Sequence, residues 1–189
     1  MKYATLFAFV LGLGALTAQA DTEIAEEAPT PQWTLEQPEL VNVDGSDPGT
    51  LTDFVAAIER LSIKPTETTS ITLTCQTVRR NGELEDTRLN VGFDLDTNAE
   101  AFLSRMSIRD VSGKVRIGDE TKSYGFQWNV KTQAYVPNDR RLARRIFNAG
   151  VRGDEVAFIR GGDTKMSIDL PEMNDDFRTF ARGCPALKQ

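Results

Sequence analysis

The chain has 189 residues, with 28 Asp and Glu against 22 Lys and Arg, 40% hydrophobic residues, two cysteines and no histidine. That size and balance suit one modest globular domain. Without an imidazole, Ser-His-Asp and Cys-His catalysis, His-ligated zinc and histidine pH switches are excluded. Two cysteines cannot supply a four-thiolate zinc site or hold an iron–sulfur cluster, which leaves carboxylate, hydroxyl, amine and arginine chemistry.

Residues 1–20 have the pattern of a secretory signal peptide. Lys2 gives a positive start, Leu6 to Leu16 is apolar, and Ala18-Gln19-Ala20 is a small-x-small cleavage site. The apolar run is too short to span a bilayer, so a periplasmic or secreted protein is expected.

Residues 21–49 form an acidic, proline-containing leader. No Lys or Arg occurs from Asp21 to Gly49, while Asp21, Glu23, Glu26, Glu27, Glu36, Glu39, Asp44 and Asp47 are acidic. The low isoelectric point belongs to this segment, and the remaining chain is close to neutral. Pro29, Pro31 and Pro38 and the scarcity of apolar residues before Trp33 read as a solvated linker. Trp33, Leu35, Leu40 and Val43 could lay an extended arm on the domain that occupies residues 50–189.

Within that domain Thr50 is placed as an N-cap, and Leu51, Phe54, Val55, Ile58 and Leu61 recur at helical spacing, so a helix is expected up to Pro65. Ser70 to Arg79 alternates, with Ile71, Leu73, Cys75 and Thr77 on one face. Asn81-Gly82 is a type I′ hairpin signal, and Leu89, Val91, Phe93 and Leu95 alternate on the return. Residues 99–106 fit a short helix or turn before a strand. Ser112-Gly113 is read as a turn into Val115 and Ile117, and Tyr124, Phe126 and Trp128 share one face of a further strand.

Asn138 or Asp139 is expected to cap a helix over 139–149, with Gly150 as its left-handed terminator. A second hairpin joins Glu155–Arg160 to Lys165–Leu170 through Gly161-Gly162-Asp163-Thr164. Asn174 or Asp175 then caps a last helix whose Phe177, Phe180, Ala181 and Cys184 share a face. Together these elements predict an α+β fold, an antiparallel sheet built from hairpins with about three helices packed on it in a single domain.

In an oxidising compartment a Cys75–Cys184 disulfide is the default reading of a lone cysteine pair. The sharpest other feature is Arg140, Arg141, Arg144 and Arg145, two i,i+4 arginine ridges opposite Leu142, Ala143, Ile146 and Phe147. Like charges at that spacing repel, so the ridges suit either the protein's own acids or an anionic surface on a protein, glycan or lipid partner.

Weaker motifs point to bland roles. Asp94-x-Asp96-x-Asn98 opens like a calcium loop, but Ala99 stands where the turn needs Gly and Arg105 where the bidentate Glu belongs. Arg152-Gly153-Asp154 matches an adhesion triplet within a helix-to-strand connection. Glu172, Asp175 and Asp176 sit where carboxylates offset a helix dipole. Gly161-Gly162 joins two strands and is no phosphate loop. No cofactor, metal or nucleic-acid partner is expected, since the aromatics alternate as a core face does. The sequence therefore points to an exported, non-enzymatic interaction or envelope-associated module. A carboxylate hydrolase and an inhibitor of a secreted enzyme are the competing readings.

Overall fold

A computed structural model of the chain describes residues 30–42, 54–95, 111–129 and 134–188. Ten strands form one antiparallel sheet. They are β1 (Thr34–Leu35), β2 (Glu39–Asn42), β3 (Phe54–Thr66), β4 (Thr69–Arg80), β5 (Glu83–Asp94), β6 (Val111–Ile117), β7 (Glu120–Asn129), β8 (Ala134–Pro137), β9 (Glu155–Arg160) and β10 (Asp163–Asp169). The order across the sheet is β1-β3-β4-β5-β8-β7-β6-β9-β10, with β2 also paired to β3. Two helices, α1 (Arg141–Arg152) and α2 (Asp175–Gly183), and a 3₁₀ turn at Pro185–Leu187 complete the described residues. The α+β class is as expected; the count of about three helices is not, because one expected helix is a strand.

That strand is β3. A helix is expected up to Pro65, yet Phe54 to Thr66 pairs with β4 from Phe54↔Arg80 to Thr66↔Thr69 and with β1 and β2 along its other edge. Helix propensities differ by only tenths of a kcal/mol per residue, and a ladder on both sides outweighs them. The stretch also carries a second pattern, with Leu61 and Ile63 fully buried at alternate positions. Thr50 and Leu51 lie outside the described residues, as do the signal segment and residues 99–106.

The β4–β5 hairpin forms as expected. Asn81 (φ 51°) and Gly82 (φ 83°) make the left-handed pair that a type I′ turn requires. Its register sets Ile71 opposite Phe93, Leu73 opposite Val91 and Cys75 opposite Leu89, all on the buried face.

Ser112-Gly113 is not a turn but lies within β6; the turn to β7 is at Gly118-Asp119. Gly113 is needed in the strand because two rings cover it. A Cβ there would stand 3.1 Å from Phe126 and 3.2 Å from Phe158. Those rings pack with Phe93, at centroid separations of 5.0 to 6.0 Å, into the centre of the core.

Strand β10 comes within 8 Å of β3 at Cα although six strands separate them in the sheet. A flat sheet would hold them about 34 Å apart at the usual inter-strand spacing. The sheet is therefore strongly curled, with α1 against β5 and β9 and α2 against β1 and β3.

The N-terminal arm belongs to this packing. Trp33 is 1% exposed, its ring meets Phe177 edge-on at 5.2 Å, and its indole N–H donates to Pro171 O at 3.4 Å. Asn174 caps α2 by accepting from Phe177 N and donates its side-chain amide to Trp33 O at 2.6 Å. At the other end of α2, Cys184 is joined to Cys75 across 109 residues, both buried.

Two outcomes are expected from this packing. Trp33→Ala should cost about 3–5 kcal/mol of unfolding free energy in a urea titration, far more than a residue in a solvated linker would. Replacing both cysteines by serine should remove about 4–5 kcal/mol on the chain-entropy account of so long a loop, read as a drop in the denaturation midpoint.

Candidate functional site

Helix α1 starts later and ends later than the sequence pattern suggests. Asp139 Oδ1 accepts from Arg141 N–H at 2.9 Å, Arg140 occupies the N-cap, and the left-handed terminator is Gly153 (φ 72°). Gly150 is not the terminator; it lies inside the helix, buried against Phe177 and Trp33. Leu142, Ala143 and Ile146 are fully buried as predicted, which turns the arginines outward.

The four arginines do not remain one solvated ridge. Arg145, with its side chain 25% exposed, donates to Tyr124 Oη and to Glu120 Oε2 on β7. Arg144 donates to Ala186 O at 2.6 Å, tying α1 to the 3₁₀ turn beyond Cys184. Arg140 and Arg141 are exposed, and among the described residues neither guanidinium has a partner. The repulsion expected between i,i+4 arginines is thus relieved by directing one member of each pair onto the fold.

Between the start of α1 and β7 lies an open groove of about 810 Å³ walled by Lys122, Tyr124, Asn138, Asp139, Arg141 and Arg145. Glu120, just outside it, pairs with Lys122 at 2.6 Å as well as with Arg145. The hydrogen bond from Lys122, reinforced by the charges of Arg145 and Lys122, holds the Glu120 carboxyl below its ordinary pKa against an opposing desolvation penalty. Lys122 and Glu120 were not legible as part of this site. They join it only because β7 lies beside α1, and no local pattern announces that neighbour.

The remaining motifs have structural explanations. Arg152 donates from Nε and Nη2 to Asp154 Oδ2 around the Gly153 helix end, so the charges of the adhesion-like triplet close on each other. Asp175 pairs with Arg178 at 3.1 Å, and Asp176 accepts from Leu35 N–H at 3.0 Å. Asp96 and Asn98 lie outside the described residues. Among the described residues no group of three acids or cysteines is placed to hold a metal ion, and no helix is long and apolar enough to cross a membrane.

Phe126 is fully buried, and Tyr124 and Trp128 pack partly buried beside it. All three rings thus belong to the core or pack against it. No protein family, curated protein or solved structure matches this chain.

Because Glu120 has its pKa lowered in the fold, it stabilises above the unfolded carboxylate pKa, and that contribution is lost as pH falls through the folded value. Glu120→Gln should therefore lower Tm slightly at neutral pH. The difference from the parent should shrink as pH drops below the ordinary carboxylate pKa of about 4 and vanish once pH is below the lowered folded value, measured by calorimetry across pH.

Proposed function

We propose that the protein is an exported, disulfide-tied, non-enzymatic interaction module that recognises an acidic partner surface with the cationic wall formed by α1 and β7. The observation that carries this reading is the pair Arg140 and Arg141, exposed and without a partner among the described residues, beside a groove that also contains Lys122 and Arg145. Carboxylates on a partner could meet Arg141 directly and compete with Glu120 for the other two cations. The buried disulfide supports an oxidising compartment, where such a bond persists. The signal pattern of residues 1–20 supports the same location.

Contacts of this kind act in partly solvated surroundings, so they govern encounter and specificity more than raw affinity and weaken with salt. Of the four arginines, the two that serve recognition in this reading are Arg140 and Arg141. Arg144 and Arg145 hold the helix in place and contribute charge from fixed positions.

The test is retention of the chain from Asp21 onward on immobilised poly-glutamate. The parent protein should bind at low salt and elute as ionic strength rises. Arg140→Glu combined with Arg141→Glu should abolish retention with Tm nearly unchanged, and Glu120→Gln should strengthen it by freeing Lys122 and Arg145. Salt-insensitive retention, or retention unaltered by the double charge reversal, would sink the assignment.

A further inference from the structure

A second concavity lies on the opposite face of the sheet from the ring core, over β3, β4, β5 and β8. It is a groove of about 450 Å³, within the range of small-molecule sites. Register explains how it arises. Arg60 stands opposite Thr74, and Thr74 opposite Asn90; Ser62 stands opposite Thr72, and Thr72 opposite Gly92. These are the alternate positions to Leu61, Leu73 and Val91, which point into the core.

Gly92 and Ala134 make the floor, so close that a Cβ on Gly92 would stand 3.2 Å from that of Ala134. Longer polar side chains rise around them. Thr72, Thr74, Asn90 and Asp94 are only half-buried and line the depression. Toward the far end of the same hairpin Arg79, Arg80, Glu83 and Leu84 are exposed, as outward residues on a sheet usually are.

The chemistry of the lining selects the ligand. Arg60, fixed by ion pairs to Glu39 at 2.8 Å and Glu36 at 3.8 Å, puts a cation at one wall. Asp94 and Glu36 put anions at others. A cationic ligand meets the guanidinium and an anionic one meets the carboxylates, so neither gains a one-signed field. Between the charges stand hydroxyls and amides, Thr72, Thr74, Asn90 and Asn129, each able to donate and accept. Val136 adds an aliphatic strip.

We propose that this groove binds a neutral, hydroxyl-rich ligand, a saccharide unit, through Thr74 and Asn90 with Arg60 and Asp94 at its sides. Side-chain amides, carboxylates and guanidinium groups present paired atoms that suit vicinal hydroxyls, and the C–H face of a sugar ring can rest on Val136 and Ala134. Among the described residues no aromatic ring lines the groove, so their contribution to affinity comes from hydrogen bonds, and weak binding in fast exchange is expected. The site shares no residue with the cationic wall of α1 and β7, and the two readings stand or fall separately.

The experiment is amide chemical-shift titration of the ¹⁵N-labelled chain from Asp21 onward with maltose, cellobiose and chitobiose, and in separate arms with spermidine and citrate. Saturable shifts at Thr72, Thr74, Asn90, Gly92 and Ala134 with at least one disaccharide are expected. Thr74→Val with Asn90→Val should weaken that binding roughly tenfold or more with Tm preserved, since β-branched residues suit strand positions. The isosteric Thr74→Val alone should give a smaller loss, and it serves if the double variant fails to fold. Absence of shifts at these amides with all three sugars overturns the proposal. So does a response there to spermidine or citrate alone, or sugar binding unchanged by the folded variants.

Discussion

The missing side chain of Gly150 sets how closely the two helices and the N-terminal arm can meet. A Cβ at that position would stand 2.8 Å from Phe177 and 3.1 Å from Trp33, closer than carbon atoms pack. The ring of Phe177 instead lies against the α1 backbone, stacked on Phe147 at 5.0 Å and met edge-on by Trp33 at 5.2 Å. Three segments far apart in sequence thus converge on one point. Once α1 is held there, Arg145 lies within reach of β7 and Arg144 within reach of the 3₁₀ turn.

The ends of the chain are secured around the same junction by different means. Asn174 serves both sides of the contact, its oxygen capping α2 and its amide nitrogen holding the Trp33 carbonyl. Asp176 takes the next free donor, Leu35 N–H. These bonds satisfy backbone groups that a docked arm would otherwise bury unpaired, which is the larger energetic penalty in such a place. At the far end of α2 the disulfide replaces packing, because the helix is only nine residues long and offers two buried rings, Phe177 and Phe180. A short helix with so little apolar surface gains from a covalent tie to β4.

The parts of the fold legible in the sequence are those governed by neighbours along the chain. The Asn81-Gly82 turn, the alternation of Ile71, Leu73 and Cys75, and the buried stripe Leu142, Ala143 and Ile146 each follow from local geometry. The misreadings occur where a distant partner decides. Phe54 to Thr66 carries both a helical and an alternating pattern, and only pairing with β4 on one side and β1 and β2 on the other selects the second. Gly113 and Gly150 look like punctuation in one dimension. In three dimensions each is a place where aromatic rings from elsewhere need the space. Strand β8 has four residues ending in Pro137 and is defined by pairing with β5 and β7 rather than by any run of its own.

The same division holds for the candidate sites. The arginines of α1 could be read as a cluster, but the anchoring of Arg144 and Arg145, which sets them apart from Arg140 and Arg141, depends on Glu120, Tyr124 and Ala186, none of them adjacent in sequence. The electrostatics of that arrangement are informative in themselves. A helix N-terminus carries partial positive charge and favours acidic residues in its first turn, whereas α1 has none there and begins with Arg140 and Arg141. Asp139 offsets this in part through its bond to Arg141 N–H. This positive charge stands against the local preference, outward and without a partner among the described residues, and adds nothing to the packing of the core. An anionic surface docked at that end of α1 would match the charge there, and the recognition proposed above therefore rests on Arg140 and Arg141 rather than on the anchored pair.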